Sequence, residues 1–398
     1  MSWKKSLITT NKIYLTLILF LIIRFTCSIF FGDKFIDHEW GTILDNYFNK
    51  GVFGFFEFKE TITPNLYMPP LYAIFLISLK SYISDLGIFL ISVYLTQSIM
   101  AILSAYYFYK LLNIFFSEKI SFFCYLIFLS FPLNIYAVAQ ISSIVLQMTF
   151  FIIFLYYSII FLKEEKFKYI YYVSILAGFL ILLRGEFIAI YFVFSLIALK
   201  KKFSNFIILM IIPLIIISPY LKRNLDIFDK FTITKSFGYN LWKGNNNLSR
   251  IEGNSDIFPK NLDNDLKNIN DTQKYDLIRD NIFKKHAFEN IFNNPEKYTY
   301  MFIKKIFAFM FFDPTSTYPN YFSPIHIIPK IILSITTIFG IYFYDKKNIY
   351  LNYVLMIYFF YIFLFSAFFI LPRYSLAILP FQIILSGAFL KKITEKYK

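Results

Sequence analysis

The sequence predicts an all-α polytopic membrane protein with about ten transmembrane helices, outer interfacial helices and a long extracytoplasmic loop. Three observations carry that prediction. The chain is 58% hydrophobic and only 16% charged, against the roughly 25% charge of soluble domains. Its apolar residues come in long runs rather than in narrow amphipathic stripes. Its lysines collect in every second connection between those runs.

The opening stretch, "MSWKKSLITTNKIYLTLILFLIIRF", is basic and then apolar. No small-residue cleavage site follows it, so it reads as a retained signal anchor. Segments near 13–31, 87–112, 120–136, 141–162, 169–183, 186–200, 203–219, 324–344, 349–370 and 375–390 meet or approach the ~20 apolar residues of a spanning helix. Arg184 and Glu186, in "LLRGEF", divide the fifth of these from the sixth. With that many crossings, Lys4, Lys5, Lys12, Lys110 and Lys119 fall on one face. "KEEKFK" (163–168), "LKKK" (199–202), "DKKN" (345–348) and "KKITEKYK" (391–398) join them there. The positive-inside rule makes that face cytoplasmic.

Two loops, 32–69 and about 220–298, then face outward. The second holds 13 Lys/Arg and 11 Asp/Glu, the composition of a folded or solvated insert. "YMFIKKIFAFMFF" (300–312) is placed in the interface, because a further crossing would scramble the basic loops. The shorter segment 70–83 follows a double proline and reads as an interfacial or re-entrant helix. The chain thus divides into an N-terminal membrane module (1–219) carrying the first outer loop, an extracytoplasmic region (220–323) and C-terminal helices (324–398). Short loops favour a bacterial inner (plasma) membrane. The net charge of +15 is accounted for by position along the membrane, so no nucleic-acid partner is implied. Cys27 and Cys124 both lie in apolar runs, which points to neither a disulfide framework nor a cysteine zinc site.

Candidate residues cluster on the outer face. In "FIDHEWGTILDNYFNKG", Asp37 is a good N-cap, and Trp40, Ile43, Leu44, Tyr47 and Phe48 recur at helical spacing up to Lys50-Gly51. Residues 38–50 therefore read as an amphipathic helix on the membrane surface. Asp37 and Glu39 either cap that helix and favour its dipole, or supply a general base to a hydroxyl beside the membrane. Three consecutive residues do not share a helix face, so Asp37, His38 and Glu39 are not read as a metal site. Lys222 and Arg223, Arg373 and Tyr374, and Arg184 with Glu186 place charge against the positive-inside bias. An anionic ligand explains them, an arginine fork suiting phosphate. Snorkelling or headgroup-binding cations explain Lys222 and Arg223 equally well, and mutual pairing is the simpler account of Arg184 and Glu186. Gly244-Asn245-Asn246 is a turn signal first and a polar ligand site second.

Taken together, "FIDHEWGTILDNYFNKGVF", "YMPPLYAIFL", "LAGFLILLRGE", "SPYLKRNLDIFDKFTITKSFGYNLWKGNN" and "PRYSLAILPF" give the chain a likeness that covers its whole length. It resembles the GT-C polyprenyl-phosphate-sugar glycosyltransferases, the group containing protein O-mannosyltransferases and the lipid A aminoarabinose transferase. The resemblance implies a GT-C-like fold and transfer of a sugar from a polyprenyl-phosphate donor to an extracytoplasmic acceptor. That acceptor would be lipopolysaccharide, another cell-surface glycan or a protein, with membrane lipids alongside; a single displacement at the sugar would invert it. It implies Asp37 as the catalytic carboxylate, with Glu39 the second candidate. Two departures stand out: Met68 precedes Pro69-Pro70 where the family often has Arg or Lys, and His38 splits the acidic pair. The donor phosphate then falls to Arg223, Arg373 and Lys222. Substrate contacts fall to Tyr67, Tyr72, Arg184, Glu186, Lys243, Asn245, Asn246 and Tyr374. The scheme requires no cofactor and leaves room for a divalent metal. A transporter or flippase, a polymerase for a lipid-linked glycan, and a non-catalytic scaffold are the rival readings.

Overall fold

The computed structural model describes residues 2–36, 38–199 and 203–396. Met1, Asp37, positions 200–202 and positions 397–398 lie outside the described residues. The chain is a helical bundle with a small helical layer over one end. It opens with α1 (Ser2–Phe31), α2 (Glu39–Lys50), a hairpin of β1 (Gly54–Phe58) and β2 (Thr61–Pro64), and α3 (Pro70–Tyr82). The bundle continues through α4 (Leu86–Phe115), α5 (Glu118–Ser130), α6 (Pro132–Tyr136), α7 (Ile144–Glu164), α8 (Lys168–Leu183), α9 (Phe187–Leu199) and α10 (Phe203–Phe228). The covering layer is α11 (Phe237–Gly244), α12 (Lys260–Lys267), α13 (Tyr275–Asn293) and α14 (Pro295–Met310). Then α15 (Pro324–Phe343), α16 (Ile349–Ala367), a 3₁₀ turn over Pro372–Ala377 and α17 (Leu379–Lys396) close the bundle.

Six helices among the described residues are long and apolar enough to cross a membrane, or seven if α5 and the bent segment Pro132–Ala139 count as one span. Ten were expected, and the difference has local causes. At 1.5 Å per residue, α8 and α9, of 16 and 13 residues, each fall short of a ~30 Å hydrocarbon core. The last turns of α17 are charged, with Lys391, Lys392, Glu395 and Lys396. The bundle is a multi-pass membrane architecture, with α7 at its centre: 67% of the α7 span is buried, against 22% for α1 and α10. α7 packs on α4 and α8, α8 on α10, and α17 on α15 and α5.

Local chemistry explains the element ends. Asp85 accepts the Ile88 amide at 2.8 Å to start α4, and Asn348 accepts the Tyr350 and Leu351 amides to start α16. Pro70 opens α3 from the double proline as expected. The expected amphipathic helix is present as α2, but its N-cap is His38 and has no side-chain bond. Gly51 ends it in the left-handed conformation, φ 69°, which costs a glycine little. The hairpin after it was not foreseen, because its turn is Lys59-Glu60, both at positive φ, rather than an Asn-Gly type.

The α5–α6 break bends by 55° at Pro132, which lacks the N–H that would bond the Phe128 carbonyl. Asn134 Nδ2 takes that carbonyl at 2.8 Å. Arg24, fully buried in α1, donates to the Leu129 carbonyl at 3.0 Å and to that of Asn134. The kink's freed acceptors are thus satisfied by side chains, as an apolar surround demands.

Candidate active site

A cavity of about 940 Å³ opens between the bundle and its covering layer. It sits where α1, α8 and α16 end and where α7 and α9 begin, so helix ends supply its charged groups. The bundle wall carries Asp33, Glu39, Arg184, Glu186, Arg373 and Tyr374. The opposite wall carries Tyr67, Tyr239, Lys243 and Arg279.

On the bundle wall, Arg184 ends α8 and its Nε donates to Gln147 Oε1 at 3.1 Å. No ion pair joins it to Glu186 among the described residues. Burial pushes the Tyr374 phenol up; Arg184 and Arg373 oppose that rise, and Glu186 and Glu39 add to it. These four charged groups and Tyr374 line the same cavity. An adjoining apolar recess, lined by Met148, Phe151, Tyr361 and Pro380, shares Arg184, Arg373 and Tyr374 with the cavity.

Asp33, immediately after α1, also faces the cavity. Its Oδ2 accepts the Ile141 amide at 2.9 Å and lies 3.8 Å from His38 Nε2. Burial alone would raise the Asp33 carboxyl, but His38 and the Ile141 amide outweigh it and hold the group below the usual carboxylate range. This aspartate was missed in the sequence, although it stands in "GDK", directly past the first apolar run.

The opposite wall is tied down from below. Asn65 Oδ1 accepts the Tyr67 and Met68 amides at 3.2 and 2.9 Å, and Asp276 accepts the Leu66 amide at 2.8 Å. Burial pushes the Asp276 carboxyl up to about 6, against those hydrogen bonds. Asp280 accepts the Tyr239 amide at 3.1 Å and so orients the first turn of α11. Burial pushes the Tyr67 phenol up, Tyr239 adds to the rise and Arg279 opposes it.

Lysine 305 joins the two walls. Fully buried on α14, its Nζ donates to the Gly244 carbonyl at 2.7 Å and the Phe368 carbonyl at 2.5 Å. With no carboxylate in ion-pair reach among the described residues, burial pushes this amine down to about 7.

Of the residues singled out in the sequence, Glu39, Tyr67, Arg184, Glu186, Lys243, Arg373 and Tyr374 share this cavity. Asp37 lies outside the described residues. Five others do not line it. Arg223 donates to the Asn65 carbonyl at 2.8 Å and to Asn224 Oδ1 at 2.7 Å, between the rings of Phe53, Tyr220 and Phe228. Its fork is directed at backbone and anchors the 65–68 turn, rather than facing a ligand. Lys222 is exposed on α10, away from the cavity. Tyr72 is buried under α2, its hydroxyl donating to Gln97 Oε1 at 2.9 Å. Asn245 bonds the Leu241 and Ala367 carbonyls, each at 2.8 Å. Asn246 closes its own turn onto the Asn254 carbonyl at 2.6 Å. Among the described residues, no three His, Cys, Asp or Glu side chains gather as a metal site.

The chain matches no protein-family model and no curated protein.

Proposed function

We propose that this chain is a membrane glycosyltransferase that moves a sugar from a polyprenyl-phosphate donor to an acceptor hydroxyl outside the cytoplasm of a bacterial cell. The observation that carries the reading is the charged cavity, with Arg184, Arg373 and Glu39 on one wall beside a small apolar recess. In this reading α5–α6, α17 and the short helices α8 and α9, whose length deficit a locally thinned bilayer takes up, cross the membrane along with the six longer helices. Their alternation then puts the lysine-bearing connections in the cytoplasm and the cavity outside.

The chemistry asks for little. The acceptor oxygen attacks the anomeric carbon, its proton passes to a carboxylate, and the bond from that carbon to the phosphate oxygen breaks. The leaving polyprenyl phosphate gains one negative charge as it departs, which Arg373 and Arg184 stabilise. Glu39, which lines the cavity, is the candidate base, and Asp37, two residues before it, is the other. A single displacement inverts the anomeric centre; retention would ordinarily need a covalent carboxylate intermediate. Arg184 takes the phosphate role that Arg223 and Lys222 had in the sequence reading.

The test is a glycan mass profile, with lipid-linked donor levels, from cells carrying wild type, Asp37→Asn, Glu39→Gln or Arg373→Gln at matched membrane amounts. One sugar-sized increment should disappear from a surface glycan while the donor accumulates, in Arg373→Gln and in at least one carboxylate variant. An unchanged profile in all three variants would overturn the transferase and leave the transport reading.

A further inference from the structure

We infer that the wall of the cavity opposite the bundle is a second anion subsite, built on Arg279 and Lys243, and that the acceptor it takes is an acidic glycan bearing carboxylate or phosphate. This rests on the transferase reading and names its acceptor class.

The charge inventory of the cavity is the first argument. Four cations line it, Arg184, Arg279, Arg373 and Lys243, against three carboxylates, Asp33, Glu39 and Glu186. Asp33 is already engaged by His38 and the Ile141 amide. A polyprenyl-phosphate sugar is a phosphodiester with a single negative charge, and the bundle wall already offers it two arginines beside the apolar recess. Arg279 and Lys243 come from the covering helices α13 and α11 instead, and the donor phosphate does not need them.

The second argument is how Arg279 is held. Its guanidinium lies over Phe56 at 4.2 Å, Tyr239 at 4.8 Å, Phe283 at 4.8 Å and Tyr67 at 5.9 Å. Rings on several sides orient the fork, and Tyr275 is the one side chain it hydrogen-bonds among the described residues. No carboxylate lies within ion-pair distance of it among the described residues. The two nearby acids, Asp276 and Asp280, are turned to the Leu66 and Tyr239 amides. Lys243 is likewise without a carboxylate, its amine 5.0 Å over the Phe369 ring. The cavity-facing rings of Tyr67, Tyr239 and Phe56 beside these cations supply flat apolar faces on which sugar rings pack. Cations beside aromatic faces match a sugar chain carrying acid groups, and a neutral glycan would leave both cations without an ion partner.

The experiment is direct binding to the purified full chain in neutral-lipid nanodiscs. The probes are a tetrasaccharide of alternating uronic acid and N-acetylhexosamine, its carboxyl methyl ester, and a neutral tetrasaccharide carrying one terminal phosphate monoester. Wild type should bind at least one acidic probe tenfold or more tighter than the methyl ester, with affinity falling as salt rises. The arm that binds identifies carboxylate or phosphate as the anion. Arg279→Gln should reduce that preference to about twofold or less, and Lys243→Gln should reduce it several-fold. Because Arg279 is packed among rings, Arg279→Lys serves as a second variant: it keeps the charge, loses the fork, and should show an intermediate ratio. Lys222→Gln, exposed and away from the cavity, should keep the wild-type ratio. Equal binding of acidic and neutral probes by wild type, no millimolar binding of any acidic probe, or a preference that survives both glutamine variants would overturn the subsite. The binding readout needs no turnover, so an acid preference in a chain that transfers no sugar would sink the transferase and leave the subsite standing.

Discussion

Gly244→Ala tests the joint between the two cavity walls. Gly244 is the last residue of α11, pressed against the end of α16. A Cβ built there would lie 1.8 Å from the Phe368 carbonyl oxygen and 2.4 Å from its carbon. Non-bonded carbon and oxygen keep roughly 3.3 Å apart, so α11 must retreat by about 1.5 Å. The retreat stretches the Lys305 bridge, whose bonds to Gly244 and Phe368 are 2.7 and 2.5 Å. It also stretches the Asn245 bond to Ala367, now 2.8 Å. Losing one charge-assisted bond and one neutral bond costs about 2–4 kcal/mol, within reach of what overpacking a tight site costs. Gly51→Ala is the control: its φ is +69° but nothing lies within 4 Å of the new methyl, so only backbone strain of about 1 kcal/mol applies. The assay is pulse proteolysis across a denaturant series in mild detergent, with both variants beside wild type. Gly244→Ala should be the less stable variant by about 1–3 kcal/mol, the difference between bond loss with overpacking and strain alone. A Gly244→Ala chain as stable as wild type, or no worse than Gly51→Ala, would refute the bridge as a structural joint.

Two further outcomes follow from groups with defined partners. Asn134→Ala uncovers the Phe128 carbonyl that Pro132 leaves without a helical donor; an unpaired buried carbonyl costs about 1–3 kcal/mol, so the detergent melting temperature should fall. A melt equal to wild type would mean that the kink finds another donor. Asp276 has a folded pKa of about 6 against 3.8 unfolded, raised chiefly by burial. A raised carboxyl adds stability that is fully present below 3.8 and is lost as pH rises through about 6. Asp276→Asn removes that step, so its melting temperature should fall less than wild type between pH 4 and 7. Parallel pH profiles would show that the carboxyl titrates elsewhere.

Much of the helical framework was legible because it is written in short range. Run length, a double proline at 69–70 and a glycine stop at Gly51 are properties of a few neighbouring residues, and α2, α3 and α4 begin and end close to where those signals lie. The number of crossings was less legible. Arg184, Gly185 and Glu186 cut one apolar stretch into helices each too short to span by themselves, and composition reads the same stretch as two ordinary crossings. The covering layer carried only a composition, and its division into α11 to α14 depends on what each face packs against. Trp242 and Phe283, for example, meet at 5.1 Å from α11 and α13.

The sequence by itself determined that this is a multi-helix membrane chain with acids and arginines at the ends of its apolar runs, because hydropathy and charge act locally. Only the tertiary structure decided which of those charges meet. Arg223 stood out in the sequence, yet its fork is claimed by the carbonyls of Asn65 and Phe53, 158 and 170 positions away. Arg279 gave no signal inside "YDLIRDNIF", yet rings brought from β1, the 65–68 turn and α11 surround it at the cavity. The direction of a long cationic side chain depends on the acceptors and rings that reach it from elsewhere in the chain. Those partners exist only once the walls have closed.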